Sequence, residues 1–386
     1  GGGRLLMRIL IITNLYPPQE LGGYGRYIAG YGEDLARRGY DLRILAGDMP
    51  ALQKAPDRNP ALHRDLRLYG NWTDGGISLL TEGRERDDIV AANVAATRHA
   101  LADFQPDVVL FGNPDFISWR CIDAVIAAGV PVLHHIGNND PGFDPADTPA
   151  GPLYQPAVPS AFLREKFLAA GYPFAGASVI WPGADVTAFD AGPPQPRPPG
   201  PLRLVYASLM LPYKGPQVLM GALAVLKATN VAIDCVFAGD STDPGFVAGM
   251  NAFVTKQGLG GRIRFVGYLE PDRLRALYHE RDVLVFPSIF DEPWGISQAE
   301  AMAAGLCVVS SDVGGIPEVI ENGVTGFTFP REDAMTLSRL LTSLSRDPER
   351  LNRVASAGRM QALKNYAIPA CVDKLEQELH ALVAQS

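Results

Sequence analysis

Residues 282–312 read DVLVFPSIFDEPWGISQAEAMAAGLCVVSSD and hold a complete strand–helix–strand unit. The apolar run DVLVF stops at Pro287 and Ser288, the mark of a buried strand closed by turn residues. Residues 289–294 form a loop, with Pro293 suited to a first helical turn and Gly295 close behind. ISQAEAMAAG is then a short helix stopped by Gly305, and LCVVSSD is a second strand. Short apolar strands alternating with helices imply a parallel sheet, covered by helices on both faces.

The same grammar extends outward. In the second half PLRLVYAS, VAIDCVFAGD and RIRFVGYL read as strands, with GPQVLMGALAVLKA and PDRLRALYHER as helices. In the first half MRILIITNLYPP is a strand ended by turn residues. A helix in YGRYIAGYGEDLARRGY, closed by Gly39, leads to a second strand, DLRILAGD. PDVVLFGN and VPVLHHIGN repeat the theme around the apolar segment WRCIDAVIAAG. Between the halves, DAGPPQPRPPGP at 190–201 cannot continue a helix or a central strand and predicts a semi-rigid linker. The expected domains are 1–189 and 202–368, two doubly wound α/β units, as a chain of 386 residues leads one to expect. The amphipathic stretch 369–386 is a terminal helix able to pack on either domain, including back across to the first.

Composition narrows the function classes. At 47% hydrophobic and 20% charged the chain is ordinary for a globular protein. Its apolar runs, such as ILII and VLVF, fall far short of the roughly 20 residues of a membrane span. A net charge of −8 without a dense Lys/Arg block argues against a nucleic-acid partner. No clear basic amphipathic helix is visible, so membrane association is not expected. Four scattered cysteines without a CxxC read as free thiols of a reducing compartment, and a cytoplasmic location is expected. No signal peptide is visible, and GGGRLL reads as a remnant preceding a natural start at Met7.

In open α/β sheets ligands sit beyond the carboxyl ends of the strands, so the loops there carry the candidate chemistry. Glu292 and Glu300 flank the helix start of the opening stretch. The amides of Gly295, Ile296 and Ser297 between them form a ready anion site. A molecule with a diphosphate in its middle could present one hydroxyl-bearing ring to each carboxylate, which only accepts hydrogen bonds. The plainer reading makes Glu292 a solvated loop residue and Glu300 an exposed helical one. The apolar neighbours of Glu300 point instead to a buried carboxylate, which needs partners. Two carboxylates could also serve glycoside hydrolysis, but that chemistry does not require the phosphate-friendly elements that follow.

Those elements are Lys214, just before Gly215 and a helix in LPYKGPQVL, and the Gly22–Gly23 pair in NLYPPQELGGYGRY. Neither is a Walker A loop. Gly23 and Gly25 begin a G-x-G, but Ile28 stands where a dinucleotide fingerprint needs its third glycine. His134 and His135 end a strand, and alternation puts them on opposite faces, so one at most would reach a cleft. For either histidine a satisfied core role competes equally with a functional one. No His/Asp/Cys cluster completes a metal site.

Taken together, FDEPWGISQAEAMAAGLCVVSSDVGGIPEVIENGVTGFTF resembles the most recognisable segment of the family 4 retaining glycosyltransferases, which have the GT-B fold. The E-x7-E element matches Glu292 and Glu300. The likeness extends through NLYPPQELGGYGRYIAGYGEDLARRGY, VIWPGADVTAF, LPYKGPQVL and RIRFVGYLEPDRLRALYHERDVLVFPS. The resemblance implies two Rossmann-like domains facing across a cleft, with a nucleotide-sugar donor held mainly by the second. It implies Glu292 on the donor sugar and Glu300 on the ribose. Lys214, with the amides near Gly295 and Ile296 and the Gly22–Gly23 loop, would hold the diphosphate. Backbone at Gly267 and Tyr268 would line the base, and His135, or failing it His134, would lie near the reacting sugar. The family's diphosphate arginine is replaced by Leu209, leaving Lys214 as the cation that these motifs assign, unless an arginine such as Arg26 substitutes.

The expected activity is retaining transfer, by same-face substitution, from a UDP, GDP, ADP or dTDP sugar to a hydroxyl acceptor: polysaccharide, glycolipid or natural product. No cofactor beyond the donor and no metal is expected. Two rivals stand beside it: a nucleotide-sugar-binding protein without efficient transfer, and a nicotinamide-dependent oxidoreductase.

Overall fold

The computed structural model describes residues 7–19, 24–73, 76–80 and 82–386. The chain forms two compact units, Gly1–Gly183 with Ile368–Ser386, and Ala184–Ala367. In the first unit the order is β1 (Arg8–Thr13), α1 (Tyr24–Arg37), β2 (Asp41–Asp48), β3 (Leu62–Arg67), a hairpin of β4 (Gly70–Thr73) and β5 (Gly76–Leu79), then α2 (Arg84–Phe104). It continues with β6 (Val108–Phe111), α3 (Arg120–Ala127), β7 (Val132–His135), β8 (Tyr154–Val158), α4 (Ala161–Ala169) and β9 (Ser178–Val179). Among the described residues these strands make a seven-stranded sheet, β3-β2-β1-β6-β7-β8-β9, with every pairing parallel.

The second unit runs α5 (Val186–Phe189), β10 (Leu202–Ala207), α6 (Pro216–Ala228), β11 (Ile233–Ala238), α7 (Pro244–Lys256), β12 (Ile263–Gly267), α8 (Pro271–His279) and β13 (Val283–Phe286). Next come α9 (Ile296–Ala303), β14 (Cys307–Ser311), α10 (Ile316–Val319), β15 (Phe327–Phe329), α11 (Ala334–Arg346) and α12 (Pro348–Asn365). Its parallel sheet has the order β12-β11-β10-β13-β14-β15. Both sheets are doubly wound because successive strands first step outward in one direction and then, from β6 or β13, in the other. Each buries its own core: Leu10, Ile12, Val109, Phe111 and Val132 in the first, Leu204, Phe237, Val285, Val309 and Leu341 in the second. Helices lie on both faces, so the strands read as continuous apolar runs rather than alternating ones.

The first unit's leading segment ends at Gly183 rather than at 189, and the second unit takes in the Pro-rich stretch. Residues 190–201 do not hang free between domains but lie along the second unit. Asp190 pairs with Arg359 at 2.6 Å, Arg197 donates to the Ser345 carbonyl at 3.0 Å, and α5 packs on α9 and α12. Proline density fixes an extended backbone, and these side-chain partners, distant in sequence, dock it. The terminal helix α13 (Ile368–Gln385) belongs to the first unit, against α1, β6 and β7. Arg38 reaches Asp373 and Glu376 at 2.8 Å each, and the Tyr40 hydroxyl donates to Glu376 at 2.5 Å. Among the described residues no helix is long and apolar enough to cross a membrane.

Candidate functional site

In the second unit the strand order 3-2-1-4-5-6 reverses between β10 and β13, and the chains leaving these neighbours part in opposite directions. That topological switch opens a crevice at the carboxyl ends of the strands. Lys214 lies on the loop after β10 and Glu292 on the loop after β13. Their side chains meet there, Nζ to Oε1 at 2.7 Å. The Ser288 hydroxyl donates to the same Oε1 at 2.6 Å. Side-chain exposure is 16% for Lys214 and 9% for Glu292, so the pair is largely withdrawn from water. The ammonium is also ringed by aromatic faces, with Tyr213, Phe286 and Phe290 centroids 5.6–5.7 Å away. Such rings attract a cation through their quadrupoles.

Glycines set this approach. Gly215 has φ +70°, and a Cβ there would lie 1.8 Å from the Pro287 carbonyl oxygen. Only a residue without a side chain lets the Lys214 loop rest on the end of β13. Across the site, Gly314 has φ +57° and its missing Cβ would stand 2.2 Å from the Glu292 carbonyl oxygen. The Gly315 amide donates to that oxygen at 2.8 Å. The glutamate is therefore fixed from its side chain by Lys214 and Ser288 and from its backbone by the glycine pair.

Beside it, α9 starts at Gly295, which offers no capping side chain. The helix thus presents the first-turn amides of Ile296 and Ser297 with the positive end of its dipole. Glu300 is 2% exposed on the next turn of the same helix. Gly267 ends β12 and Tyr268 follows it. The Gly267 carbonyl accepts from the Gly239 amide at 2.8 Å, and the Tyr268 amide donates to Asp240 at 3.1 Å. Leu209 occupies the loop after β10, where its carbonyl accepts from the Tyr206 hydroxyl at 2.6 Å. The structure thus sets Lys214, Glu292, Gly295, Ile296, Ser297, Glu300 and Tyr268 on loops or a helix following strands of one sheet, with Gly267 at the end of one of those strands. Gly22 and Gly23 lie outside the described residues.

The two histidines close β7 in the first unit. His135 is fully buried, its Nδ1 at 3.0 Å from the Tyr27 hydroxyl and its Nε2 at 2.9 Å from the Ile180 carbonyl oxygen. His134 is buried on the other face, Nδ1 at 2.9 Å from the Tyr154 hydroxyl and its ring against Phe111 and Phe143. Both imidazoles are buried and hydrogen-bonded within the first unit. Burial pushes their pKa values down, to about 3 for His134 and about 4 for His135. The folded values lie below the ordinary 6.5, so unfolding takes up protons below that pH. Stability is complete above pH ~6.5 and falls as pH drops toward 4, by up to about 1.4 kcal/mol per pH unit for each histidine. Urea midpoints should therefore decline steadily from pH 7 to pH 5; a flat profile over that interval would contradict the buried, neutral assignment.

Sequence reading did not find Ser288, the aromatic ring around Lys214, or the contact of Gly314 with Glu292. Gly215 and the glycine pair stand next to recognised motifs, which is the signal that was available. Among the described residues no group of three or more His, Cys, Asp or Glu side chains is placed to hold a metal ion.

A doubly wound sheet with charged loops at its switch point and an open helix start beside them is a nucleotide-binding architecture. Family models agree with that class. The model for "Glycosyl transferases group 1" matches residues 192–361, and that for "Glycosyl transferase 4-like domain" matches 22–183. Glycogen synthase of Mycobacterium tuberculosis is 26% identical over 93% of this chain and 91% of that protein. D-inositol 3-phosphate glycosyltransferase of Corynebacterium efficiens is 30% identical over 51% of this chain and 49% of that protein. A glycosyltransferase from Rickettsia africae superposes with a TM-score of 0.80, at 19% identity, over 99% of this chain and 100% of that one. Anabaena HepE, solved in complex with UDP, gives 0.75 at 17% identity over 97% and 100%. The chain belongs to the family 4 glycosyltransferases and has the GT-B fold.

Proposed function

We propose that this glycosyltransferase moves a sugar, with retention, from a nucleoside-diphosphate sugar to a hydroxyl of an acceptor. The observation that carries the reading is the Lys214–Glu292 pair at the switch point of the second sheet. A cation and a carboxylate in contact suit a ligand whose negative diphosphate and hydroxyl-rich sugar are joined by one bond. Lys214 and the amides of Ile296 and Ser297 would take the diphosphate, Glu292 the sugar hydroxyls, Glu300 the ribose, and Gly267 with Tyr268 the base. Support comes also from the solved relatives, since HepE is described with UDP and with UDP-glucose, and Arabidopsis starch synthase IV with ADP and acarbose.

In this reading the bond from the anomeric carbon to the diphosphate oxygen breaks, and its electron pair stays on that oxygen. Lys214 and the helix amides stabilise the charge as it develops. The acceptor oxygen attacks from the same face, and its proton passes to the departing phosphate. No metal is assigned a step.

A thermal-shift screen of UDP, GDP, ADP and dTDP sugars tests the donor assignment. One base should stabilise the protein, by about 2.7 kcal/mol at a hundredfold excess over Kd. Glu300→Ala should weaken that donor roughly 10-fold, the scale of one lost hydrogen bond to a charged group. A panel without any shift, or an unchanged donor affinity in Glu300→Ala, would remove this reading.

A further inference from the structure

The first unit holds a cavity of about 700 Å³ that the donor assignment does not use. The loops after β6 and β7 build it, with the β4–β5 hairpin and α4 as its flanks. Its wall is aromatic: Trp119 lies edge-on to Phe143 at 6.0 Å, and Phe143 edge-on to Tyr172 at 6.1 Å. Rings of this kind present apolar faces to the C–H surface of a saccharide or cyclitol.

The charges in the lining are one-sided. Asp115, Asp140, Asp144 and Asp147 line the cavity against Arg86 and Lys166. Both cations already have company: Lys166 donates to the Asn139 side chain at 2.9 Å, and Arg86 sits over the Tyr69 ring at 4.9 Å. Asp115, on the loop from β6, takes a hydrogen bond from the Asn138 side-chain amide on the loop from β7. Burial and the neighbouring Asp140 charge push its carboxyl up to about 7. A phosphorylated ligand would add negative charge to two carboxylates that already repel each other. A cation bound in the cavity beside these carboxylates would relieve that repulsion, and ring hydroxyls would still find carboxylate acceptors.

We infer that this cavity is the acceptor site and that it takes a polyhydroxylated ring carrying a protonated amine. The inference rests on the reading of the chain as a transferase, and it narrows the acceptor from any hydroxyl compound to an aminated, unphosphorylated one. Carboxylates select the amine, and the aromatic wall selects the ring.

Three cyclohexane polyols that differ in charge test it: scyllo-inosamine, scyllo-inositol and myo-inositol 1-phosphate. Their binding to the full chain is titrated by ligand-observed NMR at pH 7.5, with UDP binding measured in the same samples. The amine should bind at least about tenfold more tightly than the neutral ring, as expected for one charge-assisted hydrogen bond, and the phosphate should bind least. Asp115→Asn and Asp140→Asn should each reduce the preference for the amine; Asp140 is exposed, so that variant tests the idea even where Asp115→Asn folds poorly. Equal or tighter binding of the neutral or phosphorylated ring, no binding of any of the three, or an amine preference untouched in both variants would overturn the inference. An amine preference without binding of UDP or of any other nucleotide of the donor panel would count against the donor assignment and leave the amine site standing.

Discussion

Glu292→Gln is expected to lower kcat by about 10²–10³-fold while the chain remains folded, on the scale of removing one preorganised electrostatic contact from a transition state. Gln keeps the volume and can still accept from Ser288, so the change isolates the charge. Its consequence for stability runs through Lys214. With the carboxylate gone, the ammonium is left among Tyr213, Phe286 and Phe290 without its ionic partner, at a cost of about 1–3 kcal/mol for a group this withdrawn from water. Adding Lys214→Met should recover most of that stability, because an apolar side chain suits an aromatic surround, while activity stays lost. The two readouts then separate in the double variant: the urea midpoint recovers while kcat stays low. Full activity in Glu292→Gln would end the site assignment. A double variant no more stable than the single one would show that the two side chains are not coupled.

That pairing could not be read from the chain. Lys214 and Glu292 are 78 positions apart, and they meet only because the sheet order brings β10 beside β13. The individual motifs were legible, since each sits where an apolar run ends in Pro or Gly. Their mutual contact was not, because a parallel sheet orders its strands through non-local pairings. The histidines show a different limit. Alternation correctly put His134 and His135 on opposite faces of β7, but in a sheet covered on both sides each face is interior. Composition was silent on where 190–201 would rest, for a related reason. Pro and Gly report on backbone stiffness, whereas docking is decided by Arg359 and the Ser345 carbonyl far along the chain. The terminal helix was legible as amphipathic, but its partners Arg38 and Tyr40 lie more than three hundred residues earlier.

The second large effect concerns a residue with no functional group. Gly215→Ala is expected to reduce kcat/KM at least about 10²-fold and to destabilise the second unit, although no charge or hydrogen-bonding side chain is altered. The backbone at φ +70° costs a residue with a Cβ about 1–2 kcal/mol. The larger consequence is steric. A Cβ 1.8 Å from the Pro287 carbonyl oxygen meets backbone, which cannot swing aside as a flexible side chain would. The loops after β10 and β13 must then separate, carrying Lys214 away from Glu292, and a displacement near 1 Å in a positioned site is enough for a loss of that size. Gly249→Ala is the control. That glycine lies exposed within α7, an added Cβ there meets nothing within 4 Å, and the substitution should stabilise the helix by about 0.5–1 kcal/mol with turnover unchanged. If Gly215→Ala instead kept the parent kcat/KM, the close approach of the two loops would be irrelevant to transfer. The ion pair at the switch point would then be a structural contact alone.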